Sequence, residues 1–189
     1  MRLHAIIDSV AAGEQAAGGG ATVVQVRLKD AGTAARAEMG RRLRHLPVTL
    51  VINDDLEAAL RCGADGVHLG QSDPDHKRAI GSGLMVGISA SNVREAEEAE
   101  AMGAAYVGAG AVWATPTKLD AGTPIGVGGL AAICAAVRIP VIAIGGIDES
   151  NAASCILAGA AGVAVVRAAR HAAMVRAAVD SALTPIMRA

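Results

Sequence analysis

Residues 48–70 read VTLVINDDLEAALRCGADGVHLG, and this stretch contains the unit from which the rest of the chain is built. A β-branched run (48–53) is followed by an alanine-rich segment that starts on acidic residues and ends at Gly63, and then by a second apolar run (66–70). The two runs predict buried strands, whereas the middle segment has the spacing of an amphipathic helix. The stretch therefore predicts one strand–helix–strand unit.

The same alternation recurs along the whole chain. The apolar runs are HAIID (4–8), TVVQVRL (22–28), VTLVIN (48–53), GVHLG (66–70), LMVGIS (84–89), YVGAGAV (106–112), PVIAIGG (140–146) and GVAVVRA (162–168). Strands that are apolar throughout are typical of a parallel sheet covered by helices. Eight units predict a single closed (β/α)8 barrel domain over residues 1–189. Its connections must be short, because this fold typically takes ~250 residues.

An open, doubly wound sheet is the alternative architecture. Such a sheet usually binds a dinucleotide through a glycine-rich turn after its first strand. The corresponding turn here, DSVAAGEQ (8–15), has a single glycine in the wrong place. The closed barrel is therefore the preferred prediction.

The composition limits the class of protein. With 52% hydrophobic residues and a formal net charge of -1, the 189-residue chain suits one soluble globular domain. It lacks the basic excess of a nucleic-acid-binding protein and an apolar run of roughly 18 residues that could span a membrane. The start, MRLH (1–4), leads into a strand-like run without a signal-peptide pattern, so we expect a cytoplasmic protein.

Polar residues alternate at the end of the second predicted strand. Gln25, Arg27 and Lys29 are separated by Val26 and Leu28, so a period of two directs all three to one side. Two cations beneath a helix layer would lack solvation, whereas the mouth of a barrel is open to water. A guanidinium beside an ammonium suits phosphate oxygens. The alternative is an ordinary surface strand end.

Carboxylates follow the third and fourth predicted strands. Asn53 and Asp54 come after one apolar run, and Asp73 follows the next. Oxygen ligands of this kind suit Mg2+, although each aspartate could instead cap a helix. His68 is expected to line the core or the mouth, since no second His or Cys lies at metal-ligand spacing.

The later strands add glycines and an unusual loop. Gly145 and Gly146 follow the seventh strand, at the common phosphate site of barrels, although a tight turn would need the same residues. The loop VWATPTKLDAGTP (112–124) follows the sixth strand and contains Lys118, one of only three lysines in the chain. Lys118 is expected at the same mouth as Arg27. Two phosphorylated ligands are therefore predicted.

These motifs resemble those of the thiamine phosphate synthase and TenI superfamily. The resemblance runs in register through VVQVRLKD (23–30), VINDDLEAALRCGADGVHLGQSD (51–73), VGIS (86–89), YVGAGAVWATPTKLDAGTPIG (106–126), VIAIGGI (141–147) and AGAAGVAVV (158–166). The resemblance covers nearly the whole chain. The motifs HLGQ-x-D and TPTK are specific for this superfamily when they occur together.

The resemblance implies a Mg2+-dependent transferase in thiamine biosynthesis. It would join hydroxymethylpyrimidine diphosphate to a thiazole phosphate, or to its carboxylated form, and release pyrophosphate by a dissociative mechanism. The resemblance also implies small phosphorylated substrates and an oligomeric state, which is found in many relatives. It implies no nucleic-acid partner and no membrane partner.

The resemblance also assigns roles to individual residues. Contacts with the pyrimidine diphosphate are implied for Gln25, Arg27, Lys29, Asn53, Ser89 and Lys118. Four of these would serve catalysis, namely Arg27, Lys29, Ser89 and Lys118. Asp54 and Asp73 would hold Mg2+, and the thiazole phosphate would contact Thr115, Pro116, Thr117, Gly146, Val166 and Arg167.

Several positions depart from the family pattern. Asp55 replaces a usual Arg and is expected to add negative charge near the metal, and Ser89–Ser91 reads Ser-Ala-Ser in place of Ser-Thr-His. Arg167 replaces a usual Ser, and Trp113 replaces a usual Phe as the expected anchor of its loop. Two alternative functions remain, a TenI-type thiazole tautomerase and a non-catalytic barrel that binds a thiamine intermediate.

Overall fold

The structure is a computed structural model that describes residues 1–117 and 122–186. Eight parallel strands close into a barrel in which each strand pairs with its neighbours in the chain. The strands are β1 (Leu3–Ile7), β2 (Val23–Val26), β3 (Thr49–Asn53), β4 (Gly66–Leu69), β5 (Met85–Ala90), β6 (Tyr106–Gly110), β7 (Val141–Ile144) and β8 (Gly162–Val165). The predicted (β/α)8 barrel is confirmed.

A helix follows each strand and packs on the outside of the barrel. The helices are α1 (Val10–Gly18), α2 (Thr33–Leu43), α3 (Leu56–Cys62), α4 (His76–Ile80), α5 (Val93–Met102), α6 (Gly126–Ala136), α7 (Ala152–Leu157) and α8 (Ala172–Ile186). A 3₁₀ turn, Arg167–His171, stands between β8 and α8. Because α4 has five residues and α7 only six, the whole barrel fits within 189 residues.

The strands close because β8 pairs with β1 as well as with β7. The register places Leu3 opposite Val163 and Ala5 opposite Val165, and every residue of β1, β2 and β8 is buried. The strands are therefore covered on both faces, as their apolar composition predicts. One face packs beneath the helices, and the other faces the lumen.

Helix ends follow the signals in the sequence. The side chains of Ser9, Asp55 and Asn92 accept hydrogen bonds from backbone N–H groups in the first turns of α1, α3 and α5. Gly63 and Gly103 end α3 and α5 in the left-handed conformation that glycine adopts without strain. Among the described residues, no helix combines the length and apolar composition that crossing a bilayer requires.

Two glycines make room for rings in the lumen. A Cβ at Gly87 would overlap the ring of Tyr106, and one at Gly108 would lie 2.9 Å from Cε1 of His68. Tyr106 packs with Ile6, Ile142 and Ala164 in a small lumen cluster, separate from the larger core beneath the helices. A glycine thus offsets a large side chain on the adjacent strand at Gly87 and on the next strand but one at Gly108, which keeps the lumen filled without overlap.

Gly87→Ala should destabilise the protein by ~3 kcal/mol, because the new methyl group occupies space that the Tyr106 ring already fills. Chemical denaturation measures the free energy of unfolding. The matched control is Gly128→Ala, since Gly128 lies inside α6 with no atom within 4 Å of an added Cβ. This control should gain about 0.5 to 1 kcal/mol from helix propensity. Equal stability for the two variants would contradict the packing of the lumen.

Candidate functional site

A cavity of about 1270 Å³ opens at the carboxyl ends of the strands. All eight strand-to-helix connections reach this face, so groups far apart in sequence meet there. The cavity exceeds the 300–1,000 Å³ typical of a single small-ligand site, so it has room for two ligands. Its walls include these predicted residues: Gln25, Arg27, Asn53, Asp54, Asp73, Ser89, Thr115, Thr117, Gly146, Val166 and Arg167.

Strands β2 and β3 supply one polar wall of the cavity. The amide of Gln25 is buried and donates to Oδ1 of Asn53 at 2.7 Å, which fixes the orientation of both side chains. Arg27 lies just beyond β2, also at the cavity wall. It makes no ion pair with any described residue, so its five donors remain available to an anion.

Lys29 lies at the rim and not among the residues that line the cavity. Its Nζ donates to the backbone carbonyl of Thr117 at 3.3 Å. Because β2 ends at Val26, strand alternation no longer sets the direction of a side chain three residues later. Pro116 is exposed and also outside the lining, whereas Lys118 lies outside the described residues.

Asp54 and Asp73 form a carboxyl pair at the mouth. Partial desolvation and then the charge and hydrogen bonding of Asp73 raise the pKa of Asp54, against the opposing effect of Arg27. Oδ2 of Asp73 also accepts a 2.6 Å hydrogen bond from the N–H of Gly70. Among the described residues, no cluster of three or more His, Cys, Asp or Glu forms a potential metal site. The pair would therefore supply two protein oxygen ligands and leave further positions open.

Helix capping does not explain the pair. Oδ1 of Asp55, not Asp54, accepts the N–H of Ala58 at the start of α3. The N-cap of α4 is Asp75, so Asp73 has no capping role there. Asp54 itself has a left-handed backbone with φ 60°, which turns it away from the helix.

The expectation that Asp55 adds negative charge near the metal pair is wrong. Asp55 is buried, and its Oδ2 accepts from Arg36 at 3.1 Å. Burial opposes ionisation, but hydrogen bonds from the Ala58 N–H, the Thr33 hydroxyl and Arg36 outweigh it and lower the pKa of Asp55. The side chain is held by α2 and α3 and does not line the cavity.

A hydrogen-bonded group crosses the lumen below the mouth. The two ring nitrogens of His68 contact the hydroxyl of Tyr106 and the Oγ of Ser89, each at 3.0 Å. His68 therefore borders the cavity, in keeping with the expectation that it lines the core or the mouth, and orients Ser89. The tyrosine was not predicted as part of the site, because its position opposite His68 depends on the register of three strands.

The loop after β6 packs against the double glycine after β7. The N–H of Trp113 donates to the carbonyl of Gly145 at 3.1 Å, and Cβ atoms at Gly145 or Gly146 would lie within 3 Å of the loop. Both glycines have a positive φ. Trp113 packs against the main core, which confirms its role as the anchor of the loop.

The 3₁₀ turn after β8 brings two arginines and a histidine to the cavity wall. Arg167, Arg170 and His171 all line the cavity. None of the three makes an ion pair with a residue that the structure describes. Arg170 and His171 were not predicted, since they belong to a turn whose direction is set only by the start of α8.

The fold and the site together define a class of protein. It is a (β/α)8 barrel with a cavity at the carboxyl ends of the strands, lined by a carboxyl pair and by arginines that make no ion pair with a described residue.

Known proteins place the chain within this class. The family model described as thiamine monophosphate synthase matches residues 3–169. A thiamine-phosphate synthase from Moorella thermoacetica is 46% identical over 167 residues, covering 85% of this chain and 80% of the relative. A second, from Chloroflexus aurantiacus, is 49% identical over 162 residues, covering 82% and 74%. The structure of a thiamine phosphate pyrophosphorylase from Pyrococcus furiosus superposes with a TM-score of 0.88 at 37% identity and covers 96% of both chains. The chain belongs to the thiamine monophosphate synthase family, as its motifs predicted.

Asp54→Asn should raise the melting temperature of the metal-free protein at pH 7–8, because the amide removes a partly desolvated charge and its repulsion with Asp73. Folding raises the pKa of Asp54, so its charge destabilises the fold at pH values above the folded pKa. That cost disappears below the unfolded pKa of about 3.9, and the gain should shrink as the pH approaches that value.

The matched control for this prediction is Asp30→Asn. Asp30 has a similar left-handed backbone, with φ 56°, and lies outside the cavity lining. It therefore measures the effect of placing Asn at such a φ without the carboxyl pair. A gain that is the same in both variants, or that does not change with pH, would contradict the electrostatic explanation.

Proposed function

We propose that this chain is an enzyme that joins hydroxymethylpyrimidine diphosphate to a thiazole phosphate, giving thiamine phosphate and pyrophosphate. The observation that carries the proposal is a cavity in which the Asp54–Asp73 pair, the unpaired Arg27 and the cationic turn after β8 share one space. Two anionic ligands fit such a distribution of charge. Membership of the thiamine monophosphate synthase family supports the same activity.

The diphosphate would bind between β2 and β5. Arg27 supplies a planar donor for its oxygens, and Lys29 adds a second cation from the rim. The Gln25–Asn53 pair and the hydroxyl of Ser89 offer neutral hydrogen bonds at the same wall.

Two carboxylate oxygens fit a magnesium ion at this position. Mg2+ is usually held by one or two carboxylates and keeps its remaining positions for water and substrate phosphate, which matches Asp54 and Asp73. The raised pKa of Asp54 supports this assignment, since a bound cation would relieve the repulsion from Asp73. When bound, Mg2+ would neutralise negative charge on the departing pyrophosphate.

The thiazole phosphate would bind on the opposite side, between the loop after β6 and the turn after β8. Thr115, Thr117, Gly146 and Val166 all line the cavity, and Gly146 packs against the loop that carries the two threonines. Arg167 stands where the family usually has Ser, so a guanidinium here would take the place of a hydroxyl at the phosphate.

The reaction depends more on charge stabilisation and the exclusion of water than on a nucleophilic side chain of the protein. The C–O bond to pyrophosphate breaks with its electron pair leaving on oxygen, and the thiazole nitrogen then donates its lone pair to the pyrimidinylmethyl carbon. Arg27, Lys29 and Lys118 would stabilise the charge that gathers on the leaving group. The loop anchored by Trp113 would keep water from the cation.

A pyrophosphate-release assay tests the proposal. The purified chain should release pyrophosphate only when both substrates and Mg2+ are present, and Asp54→Asn should need more Mg2+ for half-maximal rate. A tautomerase or a non-catalytic binder would release none. The tautomerase is the weaker alternative, because such relatives typically lose the diphosphate and metal groups that this chain retains.

Lys118→Ala should lower kcat roughly 10- to 150-fold, which corresponds to the ~1.5 to 3 kcal/mol of a hydrogen bond to a charged group. The KM for thiazole phosphate should change much less, because the lysine acts on the departing pyrophosphate. Steady-state kinetics with each substrate varied in turn separates the two effects. The control is Lys77→Ala, since Lys77 is exposed on α4 away from the cavity. An unchanged kcat in the Lys118 variant would exclude the proposed role.

Arg167→Ser should raise the KM for thiazole phosphate about five- to tenfold, because a charge-assisted hydrogen bond is lost at a partly solvated site. The KM for pyrimidine diphosphate should stay within twofold. Arg94→Ser provides a control, since Arg94 pairs with Glu98 on the outer face of α5. If Arg167→Ser leaves both KM values unchanged, the phosphate is held by backbone N–H groups instead.

A further inference from the structure

His4 is a buried polar residue that the proposed mechanism does not use. It lies on β1, is only 1% exposed, and borders the floor of the cavity. Its Nε2 has no hydrogen-bond partner within the described part of the chain. Buried polar atoms in native proteins are almost always satisfied, so this nitrogen requires an explanation.

The surroundings of His4 are suited to an aromatic ring. The lumen beside it is formed by Ile6, Tyr106, Ile142 and Ala164. Tyr106 meets His4 edge to face, with ring centroids 5.4 Å apart and planes at 70°. The hydroxyl of this tyrosine contacts Nδ1 of His68, and no hydrogen bond joins it to Nε2 of His4.

His4 is also electrically neutral. Burial, with a smaller effect from His68, lowers its pKa to about 3. A neutral imidazole has one N–H donor and one acceptor nitrogen, and it offers no charge to a phosphate. Its natural partner is an uncharged nitrogen or oxygen of a ligand.

The depth of His4 matches a ring attached to the diphosphate. Gln25 pairs in register with Ile6, and His4 lies two residues earlier on β1. At ~3.3 Å per residue this places His4 roughly 6.6 Å below the level of Gln25, where the diphosphate wall begins. A six-membered ring with its methylene group spans a comparable distance.

Only one of the two substrate rings can accept a hydrogen bond from Nε2 of His4 and still react. The thiazole nitrogen is the nucleophile, so its lone pair must remain unengaged, and the sulfur of that ring is a weak acceptor. A pyrimidine has two ring nitrogens that take no part in bond formation. We propose that His4 is a specificity-determining residue whose Nε2–H donates a hydrogen bond to a pyrimidine ring nitrogen of the diphosphate substrate. This inference rests on the proposed function.

Kinetics of two His4 variants test the inference. His4→Phe keeps an aromatic ring against Tyr106 but removes the donor, so the KM for pyrimidine diphosphate should rise about five- to tenfold. The KM for thiazole phosphate should stay within twofold. His4→Gln places an amide near the position of Nε2 and should recover part of the loss. His45→Phe, at an exposed histidine, should change neither value.

Thermal stability separates a ligand-binding role from a structural one. If Nε2 is reserved for the ligand, His4→Phe removes an unsatisfied buried nitrogen, and the melting temperature of the ligand-free protein should be equal or higher. A lower melting temperature with both KM values raised would assign His4 to packing. An unchanged KM for pyrimidine diphosphate would mean that a buried water alone satisfies the nitrogen, and would overturn the inference.

A binding measurement keeps this test independent of turnover. Long-range 1H–15N spectra should show the Nε2 resonance of His4 move when hydroxymethylpyrimidine diphosphate is added, and remain in place with inorganic pyrophosphate. If the wild-type chain binds the compound with this shift but releases no pyrophosphate, the proposed function fails and the role of His4 stands. If pyrophosphate is released and the resonance does not move, His4 alone is wrongly assigned.

Discussion

Pairing of β8 with β1 is the constraint on which the rest of the structure depends. The register that places His4 opposite Ala164 joins the two ends of the chain and turns eight parallel strands into a barrel. Because every strand then runs in the same direction, every strand-to-helix connection opens on one face. Residues 140 positions apart in sequence, such as Arg27 and Arg167, can therefore line the same cavity.

Closure also limits the volume of the lumen. The ring of Tyr106 fits because Gly87 lies beside it on the neighbouring strand β5, and the ring of His68 fits because Gly108 lies close to it on β6, two strands away. The result is a floor that is apolar in part but crossed by hydrogen bonds that join His68 to Ser89 and to Tyr106. Such a floor holds Ser89 in one orientation before any ligand arrives, as a preorganised site requires.

Electrostatics at the mouth oppose stability and favour binding. The protonation of Asp54 is made easier by partial desolvation and by Asp73, while Arg27 and Arg167 face the cavity without an ionic partner among the described residues. A partly desolvated carboxylate held beside a second carboxylate costs folding energy. Asp55 shows the opposite arrangement, since its cap and its ion pair with Arg36 stabilise the start of α3. The unfavourable groups are concentrated where anions and a cation would bind.

The sequence alone determined the fold, because strand and helix periodicities are local and β-branched runs such as those at 48–53 and 66–70 recur eight times. Many of the residues that line the cavity were also predicted from the sequence, since residues that follow the strands of a barrel lie near its mouth. Tertiary structure decided which aspartate caps α3, where Lys29 points beyond the end of β2, and that His4, His68 and Tyr106 meet in the lumen. These depend on strand register and on the space between neighbouring strands, and neither is encoded in the pattern of any one segment.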